Sequence, residues 1–322
     1  MTRRALSLFL LAVLAVSPAA AGIDETVPAL IASGRVDEAL TQLHRQIDAS
    51  PDDPVAHNLL CRAYFSLGEW DHGIAACEKA VALDPENGQY HLWLGRIYGE
   101  KADKSGFMTA AGLARKVRDE FEKAVYLNPK SVEARSDLAE FYLEAPGIVG
   151  GGRDKAQAQA DSLLSLDPAR GHWVNARLAE KKKDFATADQ EYHAAIESSR
   201  GSASAWLNLG LFYRHRERWD DMEQALLHVR SEHLDRPDAL VDAAEILIHS
   251  QRNLPEAVLL LQAYLKSSAK VEQAPAFKAH YLLGTADEKL GDREGAAAEY
   301  RSALELAHEF QPAQQALQRM NR

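Results

Sequence analysis

The stretch AWLNLGLFYRHRERWDDMEQALLHV, residues 205–229, decides how the whole chain folds. Trp206, Leu209, Gly210 and Tyr213 fall on one face of a helix with a small residue at its centre. A short polar turn follows, and then a second amphipathic run. The same plan recurs at residues 57–85 and 280–306. His91, Leu94, Gly95 and Tyr98 repeat the first-helix spacing at all but its first position. The second helix carries a small residue four before a large one at Ala39/Leu43, Ala188/Tyr192, Ala257/Leu261 and Ala296/Tyr300, and a variant of it at Val117/Phe121. Pro85, Pro129 and Pro168 stop second helices, since proline lacks the amide hydrogen and disfavours helix in the residue before it.

No apolar run alternates with period two, so the expected class is all-α. The spacings W-x2-L-G-x2-Y and A-x3-F, recurring near 34 residues, resemble the tetratricopeptide repeat (TPR) family. That resemblance implies an α-α superhelical solenoid of about eight helix pairs. They begin near Ala20, Pro54, Gly88, Val132, Ala169, Ala203, Asp238 and Phe277. Small residues at Gly95, Gly210 and Gly284 let paired helices approach, while Leu94, Leu209 and Leu283 fill the space between units. One unit cannot bury its apolar face alone; a stack can, and it coils around a concave face. The solenoid is expected over residues 22–308, and 309–322 reads as a polar capping helix.

The first residues, MTRRALSLFLLAVLAVSPAAAGIDE, pair Arg3 and Arg4 with an apolar run from Ala5 to Val16 and a small-residue site at Ala19–Ala21. This is the pattern of a secretory signal peptide over residues 1–21. Its apolar run is short for a membrane anchor. Removing its two arginines takes the formal charge from −10 to −12. A chain that acidic has no global pull toward nucleic acid. A periplasmic or secreted protein, with no membrane insertion after signal removal, is the expectation.

The run APGIVGGGRDKA, residues 145–156, has the glycine density of a phosphate cradle. It follows a helical segment, SDLAEFYLEA, rather than a strand, and Arg153–Asp154 stands where a phosphate-binding Lys and a magnesium-binding Ser/Thr would be needed. It therefore reads as an insertion between the two helices of unit four, at 145–153, beside a larger one in unit three near 99–110. The two would sit side by side, as a lip that contacts a partner or as loops that pack on each other. The pair also looks similar to a set of exported bacterial TPR proteins that carry both insertions.

Cys61 and Cys77, the only cysteines, face the same interface inside unit two. Export favours their oxidation to a disulfide; two buried thiols are the other reading. His57, His91, His172 and His280 share one motif position in separate units, so they do not cluster for a metal. No nucleophile–base arrangement is recognisable, and neither a cofactor nor an enzymatic activity is expected.

Mapping the TPR register puts Asn58, Arg62, Phe65, Leu92, Arg96, Trp173, Arg177, Lys181, Leu207, Leu211, Arg214, Ile246 and Tyr281 on the concave face. Apolar anchors alternating with arginines suit a protein or peptide partner bearing acidic residues. The Lys/Asn pattern of chaperone-binding TPRs is not reproduced. The expected function is a non-enzymatic exported scaffold that binds its partner through this groove. The alternative is a periplasmic component of envelope polysaccharide export or assembly.

Overall fold

The computed structural model describes residues 26–231 and 233–320. The expected signal peptide, residues 1–21, lies outside them. The described residues form seventeen α-helices in eight antiparallel pairs plus one. The first pairs are α1 (Thr26–Ser33) with α2 (Val36–Ala49), α3 (Pro54–Leu67) with α4 (Trp70–Leu83), and α5 (Gly88–Asp103) with α6 (Phe107–Leu127). Next come α7 (Val132–Glu144) with α8 (Arg153–Leu166), α9 (Pro168–Lys181) with α10 (Phe185–Ser198), and α11 (Ala203–His215) with α12 (Trp219–Ser231). The last are α13 (Ala239–Ser250) with α14 (Leu254–Lys266), α15 (Ala276–Leu290) with α16 (Arg293–Leu306), and the closing α17 (Gln311–Met320). No helix among the described residues is long and apolar enough to cross a membrane.

Local chemistry starts the helices. Asp53 accepts from the amides of Val55 and Ala56, and Pro54 opens α3. Asp167 and Pro168 repeat the device at α9, and Asn87, Ser131, Asp184, Ser202 and Asp292 cap others. Each such cap contributes about 1 kcal/mol.

Packing within a unit depends on the small residue of the first helix. A Cβ on Gly95 would stand 2.5 Å from the Phe121 ring, one on Gly210 would stand 2.7 Å from Leu226, and one on Gly284 would stand 2.8 Å from Tyr300. Between units, odd-numbered helices contact one another, as α3 does α5, α7 does α9 and α11 does α13. One hydrophobic core runs continuously from Val27 to Ala313.

After eight units the superhelix meets its own beginning. Gly34, between α1 and α2, lies so close to the start of α15 that a Cβ there would fall 2.6 Å from the Ala276 amide nitrogen. The amide of His308 donates to Asp37 at 2.9 Å, across 271 positions, and the imidazole Nδ1 of His308 stands 2.8 Å from the same carboxylate.

The two insertions differ from the expected pair of loops. The unit-three excess is helix: α6 spans 21 residues where α4 spans 14, because FMTAAGLARKV is rich in strong helix formers. The glycine run of unit four is a tight turn, with a 3-10 turn at Gly147–Val149 and Gly150 at φ 107°. A Cβ on Gly151 would stand 1.7 Å from the Ala145 carbonyl oxygen, which is why that position carries none. The turn rests on α6, where Arg118 Nη1 donates to the Val149 carbonyl at 3.4 Å. Its apex residue Ile148 is 82% exposed.

Candidate functional site

The odd-numbered helices enclose a channel of about 850 Å³ inside the superhelix. α3 contributes Arg62 and Phe65, α5 Trp93 and Arg96, α7 Glu133, Asp137 and Glu140, α9 Arg170, Trp173 and Arg177, and α11 Leu207, Asn208 and Leu211. Two connecting segments complete the wall. One carries Asp235, Arg236 and Asp238 into α13; the other carries Val271, Glu272 and Gln273 into α15.

Both segments are anchored by hydrogen bonds. The His233 carbonyl accepts from the Ala203 amide at 2.7 Å, and Asp235 accepts from the Ser204 amide at 3.0 Å. Those contacts carry Arg236 to the channel wall. The hydroxyl of Tyr264 donates to the Ala274 carbonyl and accepts from the Val271 amide at 3.2 Å. That ties the second segment down at its base, and its Glu272 reaches across to Arg62 at 2.9 Å.

The aromatic and charged residues are interleaved. Trp93 lies between two guanidiniums, Arg62 at 5.3 Å and Arg96 at 5.1 Å from its ring centre, with Phe65 edge-on at 5.5 Å. Such cation–π contacts hold both arginines beside the indole. Arg96 pairs with Asp137 at 2.6 Å and Glu133 at 2.8 Å. Arg177 pairs with Glu140 at 3.3 Å and Glu144 at 2.6 Å. Arg236 pairs with Asp238 at 3.1 Å and Asp242 at 3.0 Å. Burial pushes the Asp242 carboxyl up to about 6, against the opposing pull of Arg236. Arg62, Arg96, Arg177 and Arg236 therefore face the channel's own carboxylates, and the lining holds more carboxylates than guanidiniums. The arginine-lined face expected from the sequence is therefore largely neutralised by the channel's own acids.

Seven of the mapped residues line the channel: Arg62, Phe65, Arg96, Trp173, Arg177, Leu207 and Leu211. Asn58 lines a neighbouring recess of about 420 Å³ that shares Arg62, Trp93 and Glu272 with it. The Asn58 Nδ2 is buried without a partner. The other five do not line it. Leu92 and Ile246 are buried in the core between helices. Tyr281 packs on Phe310 and Tyr300 beneath α17. Lys181 is held outside the lining by Glu144 at 2.6 Å, and Arg214 also lies outside it.

The histidines of the first-helix position turn inward to their own units. His91 Nδ1 meets Glu120 at 2.5 Å, His172 meets Glu191 at 2.8 Å, and His280 meets Glu299 at 2.6 Å. His57 bonds the Pro51 carbonyl instead, at 2.8 Å. Cys61 on α3 and Cys77 on α4 form a disulfide with their Cα atoms 5.2 Å apart.

Three tetratricopeptide repeat family models match the chain, at residues 30–97, 174–227 and 277–309. These fall on units one to three, five to six and eight, where the helix pairs and their glycine contacts are found. The chain is a tetratricopeptide repeat protein. It is 24% identical to mouse Superkiller complex protein 3 over 88% of this chain and 18% of that protein. It is 27% identical to the Arabidopsis thaliana Protein CTR9 homolog over 55% of this chain and 16% of that protein. This TPR chain thus spans less than a fifth of either relative's length. The yeast Tom70 crystal structure superposes with a TM-score of 0.53 at 15% identity, covering 89% of this chain and 58% of that one, which shows a shared fold. The TPR fold suggests a protein-interaction scaffold, and the channel is a concave surface of this one.

Proposed function

We propose that this protein is a non-enzymatic scaffold, exported to the periplasm or beyond, that holds a segment of another protein inside its channel. The channel itself carries this reading: an extended cavity of about 850 Å³ with apolar anchors at Phe65, Trp173, Leu207 and Leu211. Aromatic and aliphatic anchors set among paired charges supply affinity and register for a bound segment. The mixed-charge wall favours a segment that itself carries both signs. The leader-like residues 1–21 support export.

Site-specific photo-crosslinking tests the channel. A benzophenone amino acid at Phe65 or Leu211 is expected to capture a partner, while one at the exposed Leu259 of α14 is not. Capture from Leu259 alone would move the binding surface to the outside of the solenoid. Cell fractionation with N-terminal sequencing tests export, with loss of about the first 21 residues as the expected result.

A further inference from the structure

Five arginines line the channel, and four have a carboxylate in contact. The fifth, Arg170 in the first turn of α9, has no ion pair or side-chain hydrogen bond among the described residues. It stands beside Trp173, its guanidinium 5.9 Å from the indole centre. A side recess of about 310 Å³ opens here and shares Arg170, Trp173, Asn208 and Arg236 with the channel. The half-buried Asn208 side chain has no hydrogen-bond partner among the described residues either. Arg236 adds positive charge, and its Nε is buried without an acceptor.

Nearby acids do not meet the Arg170 guanidinium or the Asn208 amide. Asp137 is engaged by Arg96, Asp167 by the Arg170 amide at 3.1 Å, and Asp235 by Ser204. Burial, and then the like charge of Arg236, hold the Arg170 guanidinium below its ordinary range. A half-buried cation in that position gains most from one added anion. We infer that Arg170, backed by the Asn208 amide, is a subsite in the channel wall that takes a single carboxylate side chain of a bound protein segment. The guanidinium presents paired donors in a plane, which match a carboxylate. Asp167 and Asp235, which line the recess, repel a phosphate dianion more than a singly charged carboxylate. This assignment rests on the channel being the binding surface.

The test is an arginine Nε–H and side-chain amide NMR titration of the folded chain with hexaglutamate, hexaglutamine and inorganic phosphate at one pH and ionic strength. The Arg170 and Asn208 signals are expected to move saturably with hexaglutamate and to stay in place with hexaglutamine. Arg170→Gln should weaken hexaglutamate binding about tenfold, as loss of a charge-assisted pair does. Arg214→Gln, outside the channel, should change it by less than about twofold. Because the wild-type Arg170 signal reports directly, the result does not depend on how the variant folds. An unmoved Arg170, equal weakening by both variants, or tighter saturation by phosphate would overturn the assignment. If hexaglutamate moves the Leu207 and Leu211 methyls but not Arg170, the subsite fails and the channel reading stands. If Arg170 saturates with hexaglutamate and no channel methyl moves, the channel reading fails, and the channel-wall subsite that rests on it is overturned too.

Discussion

Arg62 in unit two donates to Glu272, 210 positions later, and the two side chains join opposite ends of the solenoid across the channel. Arg62 is also held against Trp93, so the pair is fixed from both sides. Glu272→Gln should cost about 1 kcal/mol, as partly exposed ion pairs do. Arg62→Met should cost more, because it also removes the cation–π contact. Amide hydrogen exchange checks this: residues 267–275 should exchange faster in both variants, while α9 and α11 stay unchanged.

Gly95 is a steric requirement rather than a flexible point, since its Cα packs directly under the Phe121 ring. Gly95→Ala should destabilise the fold by roughly 1–3 kcal/mol through overpacking. Adding Phe121→Leu should recover part of that loss. Thermal melts of the single and double variants decide it, and purely additive losses would refute the contact.

The Cys61–Cys77 disulfide closes a loop of 16 positions within unit two. Reduction should lower stability by about 3 kcal/mol on the chain-entropy account. Mass spectrometry after alkylation of unreduced, denatured protein should find no free thiol, and melts with and without reductant give the magnitude.

His91 and Glu120 make unit three sensitive to pH. Burial disfavours the charged ring, but the Glu120 carboxylate and the Pro85 carbonyl outweigh it and hold the imidazole above its ordinary range. The stabilisation is therefore complete below the unfolded histidine value of about 6.5, and is lost as pH rises through the folded value. An NMR titration should place His91 above that reference, and Glu120→Gln should bring it down.

The helix pairs were legible because the same spacing recurs along the chain, though units one, five and seven depart from it, and each recurrence reinforces the reading of the next. The channel was legible only in part, since an α-helix turns about 100° per residue and a slip of one exchanges core for cavity. Leu92 is in the core and its neighbour Trp93 lines the wall. Arg236 and Glu272 sit on connecting segments, where no periodicity marks which side chains turn inward. The histidine partners did leave a signal: Glu120, Glu191 and Glu299 each directly precede the aromatic residue of their second helix.

The junction of Gly34 with Ala276, and of Asp37 with His308, makes the molecule count its own repeats. An open solenoid can gain or lose a unit and keep each neighbour contact it had. Here a unit added or removed between residues 62 and 272 would rotate the two ends out of register and break all of these contacts together. Repeat number is therefore constrained by geometry in this protein, as the number of blades is in a closed propeller. Duplication, the usual way such arrays grow, would carry a stability penalty from its first step.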